Sequence, residues 1–331
     1  MNKIPLYPLL FEPIYQYRLW GGRRLADLLA APLPADEPIG EAWILSDRAD
    51  HASSVRDGPL RGQTITQLMQ QSPVQMLGKL AGYFSRFPLL LKFLDVRKKL
   101  SVQVHPPDEY AALIPAGETG KTEAWVVLEK GLDARIYAGL KPATTAKVLR
   151  AALASGTVEN LLASFTPKLG DGVFIRAGIV HSLSDVVVFE VQENSDVTFR
   201  LYDWEHVDPK TGQPRPLQID QAIDCIDFAQ GEIEPIFPKI DETSPARREK
   251  LVFCDHFGLW RIRGEASFIV GKSETPRVLV CIAGRGELDY SGVNYAFGKG
   301  DVLLLPAVVG ACSCRPNRAV TLLEISLPEV S

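Results

Sequence analysis

Short runs of β-branched and aromatic residues, each bounded by Gly, Pro or Asp, recur along most of this chain. They fall at 100–104, 124–128, 172–175, 186–191, 197–202, 278–282 and 302–305. Runs of this length and punctuation read as strands. Helical spacing of apolar residues is confined to 23–29, 64–77, 144–155 and 216–224. Together these patterns limit the fold to a mainly β architecture, a sandwich or small barrels carrying helical insertions.

At 331 residues the chain is about twice the ~150 residues expected of one domain. Composition shifts near 231–248, where Glu234-Pro235, Phe237-Pro238 and Ser244-Pro245 punctuate a charged stretch. A boundary there gives an N-terminal domain, 1–235, with helical insertions at about 140–165 and 214–228. The remainder, 236–331, is a compact strand-rich C-terminal domain. A weak internal repeat supports the division. Gly170-Asp171-Gly172 opens a turn, then a strand to Ile175, a second turn and His181, and Gly300-Asp301 with the strand to Leu305 repeats the first half. Ala311 stands where the second copy would carry its histidine, so only the first barrel can hold a metal at that point.

Several partner classes are disfavoured. Lys and Arg number 36 against 40 Asp and Glu, so no basic excess exists to neutralise a nucleic-acid backbone or an anionic membrane surface. The longest apolar run, 302–312, is interrupted by Pro306 and is far short of the ~20 residues of a membrane helix. Lys3, Pro5 and Pro8 with no small-residue cleavage site read as the start of a mature cytoplasmic protein. Five cysteines, an odd number without C-x-x-C spacing, argue against both a disulfide framework and a cysteine zinc site.

The densest chemical signal is Leu100-Ser101-Val102-Gln103-Val104-His105-Pro106. In a strand, alternate side chains share a face, so Ser101, Gln103 and His105 line one cavity while Val102 and Val104 pack behind. Glu123 opens a second strand within Gly120-Lys121-Thr122-Glu123-Ala124-Trp125, and His181 follows the Gly178 turn. Singly, each is more often structural than a ligand. Jointly, an amide, two imidazoles and a carboxylate suit Zn²⁺ or another borderline divalent ion with a site left open for substrate. Between residues 189 and 204, two alternating strands flank Asn194-Ser195-Asp196, which reads as a turn. That hairpin would set Glu190 opposite Arg200 on one sheet face.

In these residues the chain resembles the class I mannose-6-phosphate isomerases (phosphomannose isomerases), specifically the short bacterial form. The similarity runs from Leu19-Trp20-Gly21-Gly22 and Ile39-Gly40-Glu41-Ala42-Trp43 through Leu100–Pro106 and Gly120–Trp125 to Gln192–Trp204, and beyond about residue 235 it is architectural only. The resemblance implies a double cupin with a helical insertion and one zinc ion per chain held by Gln103, His105, Glu123 and His181. It implies Arg200 as a catalytic residue, with Glu190 matching the family's carboxylate ten positions earlier. Arg176 stands where the family usually has Pro, which predicts an altered loop before His181 and an added positive charge near the cavity.

The reaction implied is the reversible conversion of mannose 6-phosphate to fructose 6-phosphate through an enediol. Glu190 is the first choice for the base that moves the proton, with Arg200 beside the developing enediolate. Lys121 ranks third, for ring opening or sugar binding. Ser101, Trp20 and Asp196 are the candidate substrate contacts, and no Gly-rich loop identifies a phosphate site. The expected partner is a small sugar phosphate, and the expected state a monomer or weak homo-oligomer. The main rival is a non-catalytic double cupin that binds a sugar or sugar phosphate. A different cupin enzyme, such as an iron-dependent oxygenase or another sugar isomerase, is disfavoured, because Gln103-Val104-His105 replaces the usual His-x-His.

Overall fold

The computed structural model describes residues 4–34, 36–110, 112 and 114–328. Lys3, used above in reading the chain start, lies outside them. The fold is mainly β, with two curled sheets of the cupin type. The first sheet orders its main strands as Gly172–Ile175, Glu123–Leu140, His181–Glu193, Leu89–Val96, Ile14–Gly22 and Ile39–Leu45. Val102–Val104 joins its far side through His181 and carries Phe199–Tyr202. Strands from Lys239 onward build the second sheet, and Leu9–Leu10 crosses to its edge by pairing with Leu303 and Leu304. No helix among the described residues is long and apolar enough to cross a membrane.

Period-two alternation decides what each face of the first sheet does. Leu89, Leu91 and Phe93, with Ala124, Val126, Val187, Phe189 and Val191, join a core shared with Leu279, Leu303 and Leu323 of the second sheet. The opposite face carries Leu94, Val96, Trp125, Val127, Val186 and Val188 into a separate core inside the first barrel. Both faces are buried, so the strands read as nearly unbroken apolar runs. The inward face also carries Lys92, Glu123 and Glu190, each buried. Charges enter such a core only when paired or when they hold a ligand.

The internal repeat is reproduced in hydrogen-bond detail. Val127 donates to the Asp171 carbonyl (2.9 Å) and accepts from Gly170 (2.8 Å), while Cys281 makes the same two bonds with Asp301 (2.9 Å) and Gly300 (2.8 Å). Gly21 and Gly40 mark a close crossing of the Ile14–Gly22 and Ile39–Leu45 strands. A Cβ on Gly21 would lie 2.4 Å from the Gly40 nitrogen.

Three sequence expectations need correction. The 64–77 segment is two helices, Ile65–Gln71 and Pro73–Leu77, because Pro73 has no N–H to continue the first and takes the opening turn of the second. The 124–128 and 278–282 runs are parts of much longer strands, Glu123–Leu140 and Arg277–Tyr290, whose polar stretches the composition read as turns. The 189–204 hairpin does not form. His181–Glu193 instead lies between Leu89–Val96 and Glu123–Leu140, and Phe199–Tyr202 pairs with Val102–Val104. Glu190 therefore faces Lys92 and Trp125 across the sheet, and Arg200 faces Gln103.

One contact joins the two sheets close to the site. His256, in the turn between Arg247–Phe253 and Gly258–Gly264, places Nδ1 3.1 Å from Glu193 Oε1, and the other Glu193 oxygen accepts from the Thr122 backbone N–H at 2.6 Å. The Glu193 hydrogen bond raises the His256 pKa against burial, aided by the charges of Glu193, Asp108 and Asp255. A raised folded value means that this pair's stability is complete below about pH 6.5, the ordinary histidine value, and is lost as pH rises through the folded one. The melting-temperature gap between wild type and His256→Gln should therefore be wider at pH 6 than at pH 8.5. A gap that does not change with pH would show that the pair contributes nothing through its charge.

Candidate active site

The Glu123–Leu140, His181–Glu193 and Val102–Val104 strands bring His105, Glu123 and His181 together, with one potential ligand atom of each within 4.8 Å of the others. His105 Nε2 lies 3.4 Å from Glu123 Oε2, and His181 Nε2 lies 3.4 Å from Glu123 Oε1. All three side chains are buried.

Backbone carbonyls fix the imidazole tautomers. His105 Nδ1 is 2.8 Å from the Val197 carbonyl and His181 Nδ1 is 2.9 Å from the Ile179 carbonyl. A carbonyl only accepts, so each Nδ1 carries the hydrogen and each Nε2 turns an unprotonated lone pair to the cluster, where that of His105 lies 3.1 Å from Lys121 Nζ. The Gly178 turn makes this possible, its φ of 86° letting its N–H reach the His105 carbonyl at 2.8 Å. Burial, followed by the charge of Lys121, pushes the His105 pKa down to about 3, and burial lowers that of His181. Both imidazoles are therefore neutral.

Glu123 is opposed by burial, but the charge of Lys121 outweighs it and holds its carboxyl well below the usual range. Among the described residues no donor is directed at either of its oxygens with hydrogen-bond geometry, although Lys121 Nζ forms an ion pair at 2.6 Å. Gln103 completes the ring, with its Nε2 3.2 Å from His181 Nε2 and its Oε1 accepting from Ser101 Oγ at 3.1 Å. A half-turn of this amide exchanges the two atoms and adds Oε1 to the acceptors that face one another. Two neutral imidazoles, a carboxylate and an amide form a donor set that fits a divalent metal ion. The backbone carbonyls behind the histidines are the usual outer support of such a site.

Above this floor lies a cavity of about 410 Å³ lined by Gln103, Glu123, Lys121, Glu190, Lys92 and Trp20, among others. Glu190 accepts from Trp125 Nε1 at 2.8 Å and lies 3.6 Å from Lys92 Nζ. Burial raises its pKa first and the charge of Glu123 second, while Lys121 and Lys92 oppose them. The restraining cations are thus two lysines rather than Arg200. Burial pulls Lys121 down, yet Glu123 and Glu190 more than compensate and hold its pKa above the usual lysine value, so it is charged.

The other sequence candidates divide. Trp20 is almost fully buried and forms part of the wall, and Asp196, partly exposed, lines the rim 3.5 Å from Lys92 Nζ. Ser101 is corrected: it is fully buried, is absent from the wall, and bridges Gln103 and Arg200 by accepting from Arg200 Nε at 3.2 Å. Arg176 is also corrected, since it is exposed and does not line the cavity, so its charge stays outside.

Sequence reasoning missed Lys92, Glu41, Arg18 and Arg215, all on the cavity wall. Lys92 Nζ lies 4.9 Å above the Trp43 ring and 3.9 Å from Glu41 Oε2. Glu41 accepts from Arg18 Nε at 2.9 Å and Trp43 Nε1 at 2.6 Å, and Arg18 and Lys92 overcome its burial to hold its pKa near 2. The signal for Lys92 was a lone charge inside Leu89-Leu90-Leu91-Lys92-Phe93-Leu94.

Fold and cluster together define a cupin-type protein with a buried site fit for a divalent metal and an adjoining polar cavity. Residues 9–123 match the family model of the phosphomannose isomerase type I catalytic domain. A probable mannose-6-phosphate isomerase of Bacillus subtilis, GmuF, is 35% identical over 92% of this chain and 95% of its own length. Mannose-6-phosphate isomerase ManA of the same organism is 35% identical over 92% and 94% respectively. The crystal structure of a B. subtilis mannose 6-phosphate isomerase superposes with a TM-score of 0.89 at 29% identity, covering 97% of this chain and 99% of that one. The chain belongs to the type I mannose-6-phosphate isomerase family.

Proposed function

We propose that the protein interconverts mannose 6-phosphate and fructose 6-phosphate, using one Zn²⁺ per chain held by Gln103, His105, Glu123 and His181. The observation that carries this reading is the meeting of two unprotonated imidazole nitrogens and an ionised carboxylate beneath a cavity that also holds Glu190. A divalent cation there supplies a Lewis acid for the substrate's oxygens.

Glu190 is the base, taking the C2 proton and returning it to C1. Its burial makes it a stronger base than a solvated carboxylate, and Trp125 Nε1 holds it in place. Lys121, kept charged, is the donor placed to assist ring opening. Lys92 balances Glu190 and positions it. Arg200 provides fixed positive charge beside the enediolate, with Ser101 linking it to Gln103. Trp20 and Asp196 border the sugar. A cytoplasmic protein acting as a monomer or weak homo-oligomer fits this role.

In deuterated water the purified protein should form fructose 6-phosphate from mannose 6-phosphate with solvent deuterium appearing at C1. Tight binding without turnover would favour the non-catalytic sugar-binding reading. Arg200→Ala should retain its metal while kcat falls by roughly 10²–10³, the scale of losing one transition-state charge stabiliser. A change confined to KM would make Arg200 a binding group instead.

A further inference from the structure

Two guanidiniums reach the cavity mouth from separate stretches of chain, Arg18 from the strand Ile14–Gly22 and Arg215 from the segment after Pro214. The cavity is graded in depth. Side chains of Glu123, Lys92, Glu190 and Lys121 are at most 5% exposed, whereas Arg215 is 20% and Arg18 28% exposed.

Each is braced by a carboxylate. Arg18 donates from Nε and Nη2 to Glu41 at 2.9 and 3.2 Å, and Arg215 donates from Nε and Nη2 to Asp203 at 2.8 and 2.5 Å. Arg200, in the same cavity, makes no ion pair among the described residues. Burial, the charge of Arg215 and, less strongly, that of Arg18 bring its pKa down to about 10, against the pull of Asp203. Three guanidiniums, those of Arg18, Arg200 and Arg215, thus line one cavity, beside the carboxylates of Asp196 and Asp208. A donor is also left over, because Arg215 Nη1 has no acceptor among the described residues. Asp208, also on this wall, is engaged by the Tyr17 hydroxyl (2.9 Å) and the Lys210 N–H (2.8 Å).

We infer that Arg215 and Arg18 form the subsite for the phosphate group of the substrate, and that Arg215 sets the preference for a phosphorylated over an unphosphorylated sugar; the inference rests on the isomerase reading. A sugar phosphate carries its dianion at the end of the chain opposite C1 and C2. With those carbons above the buried ligand set, the phosphate lies toward the mouth, where a pre-braced guanidinium offers a planar edge to its oxygens. Holding the guanidiniums in place before binding reduces the ordering cost of the contact.

The test uses Arg215→Lys and Arg18→Lys, which keep a positive charge beside Asp203 and Glu41 and lose the fork. Metal content serves as the check on folding. In Arg215→Lys, kcat/KM for mannose 6-phosphate relative to mannose should fall about 10-fold or more, the scale of one lost charge-assisted hydrogen bond. The inhibition constant of inorganic phosphate should rise by a similar factor. Arg18→Lys should shift both in the same direction. If both variants keep the wild-type substrate ratio and phosphate inhibition, the subsite is overturned while the isomerase reading stands. A wild type that does not turn over mannose 6-phosphate defeats the isomerase reading itself, whatever the variants do.

Discussion

His105→Ala is expected to leave the purified protein without its divalent metal and to lower kcat for mannose 6-phosphate by on the order of 10³. Lewis-acid stabilisation is worth several kcal/mol, and each ~1.4 kcal/mol is a factor of ten in rate. The size of the effect follows from how few groups hold the ion. The four proposed ligands are buried, and the substitution leaves only three of them to hold the ion. His181→Ala should behave alike, and the double variant should add little, because residues acting as one unit are not additive. Elemental analysis beside a coupled isomerase assay measures both quantities. A variant that loses its metal and keeps its rate would remove the ion from the mechanism.

Glu190→Gln should bind metal normally and lose between about 10² and 10⁴ in kcat, the range for removing a positioned general base. The amide matches the carboxylate in shape and can still accept from Trp125 Nε1, so packing is retained. Lys92 then loses a charge partner at 3.6 Å but keeps Asp196 at 3.5 Å and Glu41 at 3.9 Å. The wild-type rate should fall on the acid side as Glu190 takes up a proton, at a pH above that of an ordinary glutamate because burial and Glu123 raise its pKa. That limb should be missing from the residual activity of Glu190→Gln. Near-wild-type turnover in this variant would move the base elsewhere.

Much of the site was legible because strand alternation is a local rule. Gln103 and His105 two residues apart must share a face, and a proline after His105 restrains the backbone there. Glu123 and His181 were legible only as residue types in suitable contexts, since pairing across the sheet is what brings them to His105. The Glu190–Arg200 pairing was misread for a specific reason. Asn194, Ser195 and Asp196 have turn chemistry, yet their side chains are directed at other loops: Asn194 Nδ2 donates to the Asp47 carbonyl at 3.2 Å and Ser195 Oγ to the Thr119 carbonyl at 2.8 Å. The chain therefore crosses over at these residues instead of folding back. Lys92 escaped notice because one charge in an apolar strand reads as an interruption until the face it occupies is known.

The fold followed the same division. Strand positions were set by local composition, and the Gly170 and Gly300 turns by the need for positive φ. The crossing of Leu9–Leu10 to the second sheet depends on contacts with Leu303 and Leu304, which no neighbouring residue announces. Likewise, the burial of both faces of the first sheet depends on the core that it shares with the second.

The most direct test is a metal titration followed by catalysis. Protein stripped with a chelator should be inactive toward mannose 6-phosphate, and activity should return in proportion to added Zn²⁺, reaching its plateau at one ion per chain. Full turnover by protein shown by elemental analysis to carry no metal would contradict the account.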